Sequence, residues 1–284
     1  MSSRPVRRPP GAAPIRRTRT VRRASAGLSP VRAGAALAML IAAGATYGVG
    51  ASSAFDFVDL EVEGAHYTDT AAIEAVLDVA RGENLFRLST APLAADLRTL
   101  PTVADAQVEV VLPGTLAVTL AEREPILLWA VGERRFLSDA QGFLFALAAD
   151  VAPPPAELPV ITDRRRVSRG LSVGATLDPV DLDAATRLGS LAPSHLGSSA
   201  ASLDVTVGDE HGFVVSPGRD AWTAVFGFYT ASLRRTEIIP GQVRLLRSLL
   251  AGREGSVQRV ILADEGDGTY TERETPAPSD GTDP

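Results

Sequence analysis

The sequence contains no cysteine among its 284 residues. This absence excludes disulfide bonds, thiolate metal sites and a cysteine nucleophile. Lysine is missing as well, so all 28 basic residues are arginine. Without lysine the chain cannot supply a P-loop lysine, a Schiff base or an S-x-x-K acylation motif. Several large classes of enzyme are therefore excluded by composition.

Histidine is scarce: His66, His195 and His211 lie far apart in the sequence, and none has the spacing of a metal site. No G-x-S-x-G motif is present, although a Ser-His-Asp triad can assemble from distant segments. We therefore predict no catalytic, cofactor-binding or metal-binding residue and no small-molecule substrate. A membrane-anchored envelope hydrolase stays an alternative, which a buried acid–base pair in the folded domain would favour.

Charge is distributed very unevenly along the chain. Residues 1–32 carry nine arginines and no acidic residue, residues 33–55 carry no charge, and residues 56–284 carry all 34 acidic residues with the other 19 arginines. A helix of 23 residues is ~34 Å long, enough to cross a hydrocarbon core of ~30 Å. The pattern predicts a basic tail over 1–32 and a transmembrane helix over 33–55.

The same charges predict the orientation of the span. Arginines accumulate on the cytoplasmic side of membrane helices, so the N-terminus is expected in the cytoplasm and residue 56 onward outside it. This anchor accounts for the arginines without a nucleic-acid partner. Two alternatives stay open: Ser52-Ser53-Ala54 could be a signal-peptide cleavage site, and Gly44 with Gly48 could form a helix-packing pair.

Residues 56–123 have the pattern of a small β-α-α-β-β domain. Period-two alternation predicts a strand over 57–63, and apolar residues at helical spacing predict helices over 73–80 and 93–100. Two further alternating runs, 103–112 and 115–122, flank a Pro-Gly turn and predict a hairpin.

The segments FVDLEVEGAHYT, GENLFRLS and LPTVADAQVEVVLPGTLAVTLAEREP resemble the POTRA domain of the FtsQ/DivIB cell-division family. The most specific parts are Leu100-Pro101-x-Val103, Pro113-Gly114-Thr115-Leu116 and Glu122-Arg123-Glu124-Pro125.

Residues 124–263 predict a mixed β-sheet domain with flanking helices. Helical patterns occur at 179–191 and 242–250, among several short apolar strands, of which 256–263 is the last. FLSDAQG (136–142), WTAVFG (222–227) and QVRLLRSLL (242–250) also resemble the FtsQ/DivIB family. Residues 264–284 contain seven acidic residues with Pro, Gly, Ser and Thr, which predicts a disordered acidic tail.

The predicted fold class is therefore α+β: an N-terminal transmembrane helix, a POTRA domain and a mixed β-sheet domain. The resemblance implies a non-catalytic divisome scaffold, located in the cell membrane and enriched at the division septum. It also implies binding to FtsB/DivIC-like and FtsL-like division proteins and a role in regulating the septal peptidoglycan synthase complex. A POTRA-bearing export component is a further alternative, which would normally require a following membrane β-barrel.

The last strand is the predicted partner-binding site. If residues 256–263 lie at a sheet edge, their free N–H and C=O groups can pair with an incoming strand of the partner. On this hypothesis and the family resemblance, the contributing residues are Arg259, Val260, Ile261, Leu262 and Tyr270.

Overall fold

The computed structural model describes residues 29–151, 157–218 and 221–273. The chain divides into two compact units, Met1–Ala51 and Ser52–Pro284. Most of the predicted basic tail, residues 1–28, lies outside the described residues. The second unit contains both the POTRA-like region and the larger sheet.

Helix α1, Pro30–Gly50, has 21 residues and no buried side chain. Ser29 begins it, because its hydroxyl accepts the N–H of Arg32. Among the described residues it is the one helix long and apolar enough to cross a membrane. It ends before the predicted limit of residue 55, because the Ser52 hydroxyl accepts the Ala54 N–H and starts a separate 3-10 turn, Ser53–Phe55.

The POTRA-like region contains a three-stranded sheet in the order β1-β3-β2. Strand β1 pairs in parallel with β3, and β2 pairs with β3 as the predicted antiparallel hairpin. Gly64 ends β1 with φ +83°, and a Cβ there would lie 2.2 Å from the Leu120 carbonyl oxygen, so only glycine fits. The elements are β1 Asp59–Glu63, α2 Thr70–Leu77, α3 Thr90–Leu97, β2 Val103–Val111 and β3 Thr115–Glu122.

Both helices of this region pack on the sheet. Ile73, Leu77 and Leu97 from the helices are almost fully buried in one cluster with Leu116 and Val118 from β3. This cluster is separate from the core of the larger sheet. The apolar periodicity of the sequence therefore correctly predicts the buried side of both helices and of β3.

The larger sheet has nine strands in the order β12-β11-β10-β9-β8-β7-β4-β5-β6. The strands are β4 Leu127–Val131, β5 Arg134–Ser138, β6 Leu144–Leu147, β7 Val160–Asp163, β8 Asp204–Gly208, β9 Gly212–Ser216, β10 Thr223–Gly227, β11 Val257–Leu262 and β12 Gly268–Glu272. Helices α4, Pro179–Gly189, and α5, Ile239–Leu250, pack against it.

Strand register aligns one buried row across this sheet. The row passes from Trp129 on β4 to Ile161, Val205, Val215, Ala224 and Val260 on the strands that follow in the sheet order. All six side chains are at most 3% exposed, and they share a cluster with Leu188 of α4 and Leu246 of α5. Both helices therefore cover the same face of the sheet.

The acidic C-terminal segment is partly ordered. Disorder was expected from residue 264, but Gly268–Glu272 forms β12, paired antiparallel with β11. That expectation is wrong for β12, because Thr269, Tyr270 and Thr271 have high strand propensity and their backbone completes a ladder with β11. Residues 274–284 lie outside the described residues.

Two neighbouring residues at the end of β3 connect the POTRA-like region to the larger sheet. The buried carboxylate of Glu122 accepts backbone N–H groups of His66, Tyr67 and Thr68 at 2.7–2.8 Å, all in the POTRA-like region. Arg123 contacts both regions: its Nε donates to the Pro101 carbonyl at 3.0 Å, and its Nη1 donates to Asp139 at 2.7 Å. Its guanidinium carbon also lies 4.3 Å from the Phe143 ring centroid. The segment Glu122-Arg123-Glu124-Pro125, here called the ERxP segment, is thus a junction between two cores.

Candidate partner-binding site

The nine-stranded sheet has two edges, and they differ. At β6 the segment 174–177 covers the edge: Leu144 donates to the Ala175 carbonyl and accepts from the Gly174 N–H, both at 2.8 Å. At β12, one side pairs with β11, and among the described residues no strand pairs with the other side. Strand β12 is therefore the open edge of this sheet.

The premise that residues 256–263 form the edge is wrong. Strand β11 lies between β10, with which it is parallel, and β12, with which it is antiparallel. Its backbone groups are therefore engaged on both sides. The hairpin that adds β12 was not expected, and it moves the open edge one strand outward.

The five predicted residues occupy three environments. Val260 and Leu262 are core residues, 0% and 1% exposed. Ile261 is 47% exposed on the opposite face of β11, where the half-buried Arg259 places Nη2 2.6 Å from His211 Nε2. Tyr270 is 39% exposed and belongs to β12 itself. Of the five, Tyr270 alone is on the open edge strand.

The direction of the Tyr270 backbone follows from the ladder. At the end of the hairpin the Ala263 N–H bonds the Asp267 carbonyl at 2.9 Å. Antiparallel pairs alternate between bonded and non-bonded, so Leu262–Gly268 is non-bonded, Ile261–Thr269 is bonded, and Val260–Tyr270 is non-bonded. The N–H and C=O of Tyr270 therefore point away from β11, toward the open edge.

The turn before β12 is held by one carboxylate. Asp264 Oδ1 accepts the N–H groups of Gly266 and Asp267 at 2.8 and 2.7 Å. These backbone hydrogen bonds lower the pKa of Asp264 below its ordinary value. The acidic, glycine-rich sequence that suggested disorder is thus the local chemistry of a tight turn.

The segment after α5 supports the edge strand from the helix-covered face. Arg253 Nη1 donates to the Tyr270 hydroxyl at 3.1 Å, and its guanidinium carbon lies 5.8 Å from the ring centroid. The next residue, Glu254, accepts from Trp222 Nε1 at 3.0 Å, from the Ser198 hydroxyl, and from both the N–H and the hydroxyl of Ser199 at 3.1 Å. This segment therefore joins the edge strand to the core.

We expect Glu254 to make stability depend on acid pH. Burial alone would raise the pKa of Glu254, but hydrogen bonds from Ser198, Trp222 and Ser199 outweigh it and lower the pKa to about 2. A group with a depressed folded-state pKa stabilises the fold above its unfolded pKa and loses that contribution as pH falls through the folded value. The stability advantage of the wild type over Glu254→Gln should therefore be complete at pH 7 and shrink between about pH 5 and pH 2. Urea unfolding at a series of pH values measures it, and an advantage independent of pH would contradict the assignment.

The three histidines lie on separate surface segments. His66 follows β1, His195 accepts the Ala192 N–H, and His211 contacts Arg259. All three residues are exposed. Each makes a local structural contact, and none forms the buried acid–base pair that would favour the hydrolase alternative.

Sequence reasoning missed most of the residues that form this edge. They are the Asp264 turn, Thr269 and Thr271 of β12, and the supporting Arg253 and Glu254. The available signal was the alternation of β-formers and polar residues in Thr-Tyr-Thr-Glu after an Asp-Gly turn. The surrounding acidic composition outweighed it in the prediction.

Taken together, one apolar membrane helix, a β-α-α-β-β domain and a larger open-edged sheet define a single-pass membrane protein with a POTRA domain. Residues 55–123 match the family model of the FtsQ-type POTRA domain. The chain is 28% identical over 225 residues to the cell division protein FtsQ of Chloroflexus aurantiacus, which covers 79% of this chain and 77% of the relative.

Further relatives of the same name give shorter alignments. The chain is 28% identical over 152 residues to the protein of Chloroflexus aggregans, covering 54% of each chain. It is 32% identical over 117 residues to that of Mycobacteroides abscessus, covering 41% of this chain and 34% of the relative. The chain is thus similar to FtsQ-type cell division proteins, and its residues 55–123 form an FtsQ-type POTRA domain.

Proposed function

We propose that this cell division protein is a non-catalytic scaffold of the divisome that binds other single-pass division proteins and helps regulate septal peptidoglycan synthesis. The observation that carries the proposal is the similarity to the Chloroflexus aurantiacus protein. Because the alignment covers 225 residues and only 126 residues precede β4, the similarity must extend into the larger sheet. The proposal therefore concerns both domains.

In the proposed orientation the N-terminus is cytoplasmic and the two folded domains lie outside the cytoplasm. Nine arginines precede the membrane helix, whereas Asp56 and Asp59 follow it. The positive-inside rule favours this arrangement. Envelope localisation also puts the β12 edge in the compartment where septal peptidoglycan is made.

The proposed partners are FtsB/DivIC-like and FtsL-like division proteins, together with the septal peptidoglycan synthase complex. The partner strand would pair with β12, whose Tyr270 backbone groups point outward. On the helix-covered face an apolar side chain of the partner would meet the Tyr270 ring beside Arg253. On the other face it would meet the exposed Thr269 and Thr271. A segment that alternates apolar and polar residues fits this edge.

The mechanism we propose is positional. The membrane helix fixes the folded domains at the membrane, and strand addition at β12 holds the partner there. No cofactor and no bond-making step is required. Partner binding then changes the synthase from an idle to an active state.

A fluorescent fusion placed before residue 1 tests this function. We expect enrichment at the septum in dividing cells, since a divisome scaffold is concentrated where the partners assemble. A fusion ending at residue 51, which keeps the membrane helix and lacks both folded domains, is the control and should label the membrane evenly. An even distribution of a full-length fusion that supports normal growth would remove the proposal.

A further inference from the structure

Exposed apolar side chains accumulate at one end of the POTRA domain. Val58, Phe86 and Leu112 are 60%, 52% and 50% exposed, and Val111 beside Leu112 is 44% exposed. None of them belongs to the β12 edge or to the core. Exposed apolar groups that lie together on a soluble domain usually mark a surface that another phase or molecule covers.

Three neighbouring chain segments carry these side chains. The Phe55 and Phe86 rings meet edge to face with centroids 5.0 Å apart, and the Phe55 carbonyl accepts the Leu85 N–H at 2.8 Å. On the other side of the same segment, the Val58 N–H donates to Gly114 at 2.9 Å. Gly114 belongs to the hairpin turn that follows Leu112. The apolar side chains therefore flank residues 55–58 on both sides.

Chain length confines this end to the neighbourhood of the membrane. Helix α1 ends at Gly50, and the Ser52 carbonyl already accepts a hydrogen bond from Asn84 Nδ2 at 2.9 Å within the POTRA domain. Two residues span at most ~7 Å and five residues at most ~18 Å. The polar region of a bilayer leaflet is itself ~5–7 Å thick. Phe55 and the side chains around it therefore lie within reach of the lipid headgroups, whichever side of the membrane the domain occupies.

We infer that the face formed by Phe55, Val58, Phe86 and Leu112, here called the apolar foot, inserts into the headgroup and upper acyl region of the membrane that α1 spans. Aromatic and aliphatic side chains gain free energy at this depth, about 5–10 Å into the boundary. The foot gives the POTRA domain a second attachment to the bilayer. This inference needs the membrane helix and is independent of the proposed function and orientation.

The charges around the foot define which lipid property it recognises. Among the three segments, Asp56, Asp59 and Glu83 outnumber Arg87, which follows Phe86, and Arg81, which is paired with Asp78 at 3.1 Å. The foot therefore has no excess of positive charge with which to attract anionic headgroups. The occupant is the apolar boundary of the bilayer, and insertion is expected to be the same in zwitterionic and anionic membranes.

Site-specific fluorescence can test the foot, because the chain has no cysteine to compete for label. Single substitutions Phe86→Cys or Leu112→Cys in the full-length chain are labelled with an environment-sensitive fluorophore in nanodiscs. The discs contain phosphatidylcholine alone or mixed with phosphatidylglycerol. Val167→Cys is the control, because Val167 is 80% exposed in the larger domain. Emission is measured with a lipid carrying a quencher high on its acyl chain and, separately, with iodide in the water.

We expect the labels at 86 and 112 to lose most of their emission to the lipid-borne quencher and little to iodide, in both membranes, with the reverse at 167. Quenching of both foot labels by iodide alone would overturn the inference. Protection from both quenchers would also overturn it, since a protein surface would then cover the foot.

A second variant tests whether the apolar side chains cause the insertion. In Val58→Cys, labelled in the same way, the double substitution Phe86→Asp and Leu112→Asp should transfer quenching from the lipid to iodide. Both replaced side chains are exposed, so the fold should tolerate the change. Unchanged lipid quenching of the label at position 58 would mean that the covalent link to α1 alone holds this end near the membrane. That result would overturn the inference.

Discussion

Replacing Tyr270 with proline is expected to weaken strand addition at β12 by tenfold or more in affinity. Proline has no N–H, and the N–H of Tyr270 points to the open edge. A lost interstrand hydrogen bond costs about 0.5–1.5 kcal/mol, and the proline ring would also clash with the incoming strand. A change of 1.4 kcal/mol in binding free energy corresponds to about a tenfold change in affinity. Binding of the FtsB/DivIC-like ectodomain to the full-length chain, measured by surface immobilisation, gives the change.

Tyr270→Ala is the matched control for the proline variant. Both substitutions remove the ring and its contact with Arg253, whereas only proline removes the N–H. Proline is tolerated on an edge strand where its nitrogen faces solvent, so both variants should keep the ladder with β11. Equal weakening by the two variants would assign binding to the ring, and unchanged affinity in both would mean that β12 is not the partner site.

Replacing Arg165 with alanine is expected to lower the free energy of unfolding by about 3–5 kcal/mol. The Asp163 carboxylate is 0% exposed at the end of β7, and Arg165 Nη2 donates to it at 2.8 Å while Nη1 donates to Asp181 at 2.6 Å. Burial alone would lower the pKa of Arg165, but these two carboxylates raise it above its ordinary value. Alanine would leave the buried Asp163 charge with only the Ser168 hydroxyl, at 2.5 Å, and the backbone N–H of residue 165, at 2.9 Å.

The neighbouring Arg166 provides the control for this prediction. Its side chain is 88% exposed, and its Nε lies 4.0 Å from Asp209. An exposed pair at that distance contributes little, so Arg166→Ala should change stability by less than about 0.5 kcal/mol. Urea unfolding of the detergent-solubilised chain, followed by the fluorescence of the buried Trp129 and Trp222, measures both variants. Similar losses in the two variants would contradict the role given to the buried pair.

Local patterns in the sequence were enough to predict the POTRA domain. The alternation around Leu116 and Val118 and the helical spacing of Ile73 and Leu77 depend on residues near each other in the chain. These elements pair with their neighbours in sequence, apart from the parallel pairing of β1 with β3. The span was also found, although Ser52 ends it earlier than its uncharged run suggested.

The edge of the larger sheet could not be predicted in the same way. Whether β11 is internal depends on β10 on one side and on β12 on the other, and neither pairing leaves a periodic signal in β11 itself. Apolar content indicated that the strand exists, and Val260 and Leu262 are indeed buried. Whether the β11 backbone is exposed depends on the whole sheet, because strand order is set by pairing between segments that are distant in the sequence.

The ERxP segment was recognised from family resemblance, and its physical role needed the structure. Glu122 and Arg123 are adjacent. Glu122 accepts backbone N–H groups of the 66–68 loop in the POTRA domain, whereas Arg123 pairs with Asp139 of the larger domain. Nothing in their spacing indicates that Glu122 binds within one domain while Arg123 joins that domain to the next. Their partners are tens of residues away for Glu122 and across a β-hairpin for Arg123.

This junction has a mechanical consequence. Most neighbouring domains are joined by a flexible linker. A force applied to one domain then changes the angle between the two domains before it reaches the second. Here the last residue of one domain and the first of the next are each fastened by charge-assisted bonds, with no free residue between them. A force that a partner applied at β12 would therefore be transmitted through the larger sheet and the junction into the POTRA domain. The two domains would move little relative to each other, so they can transmit force as one body.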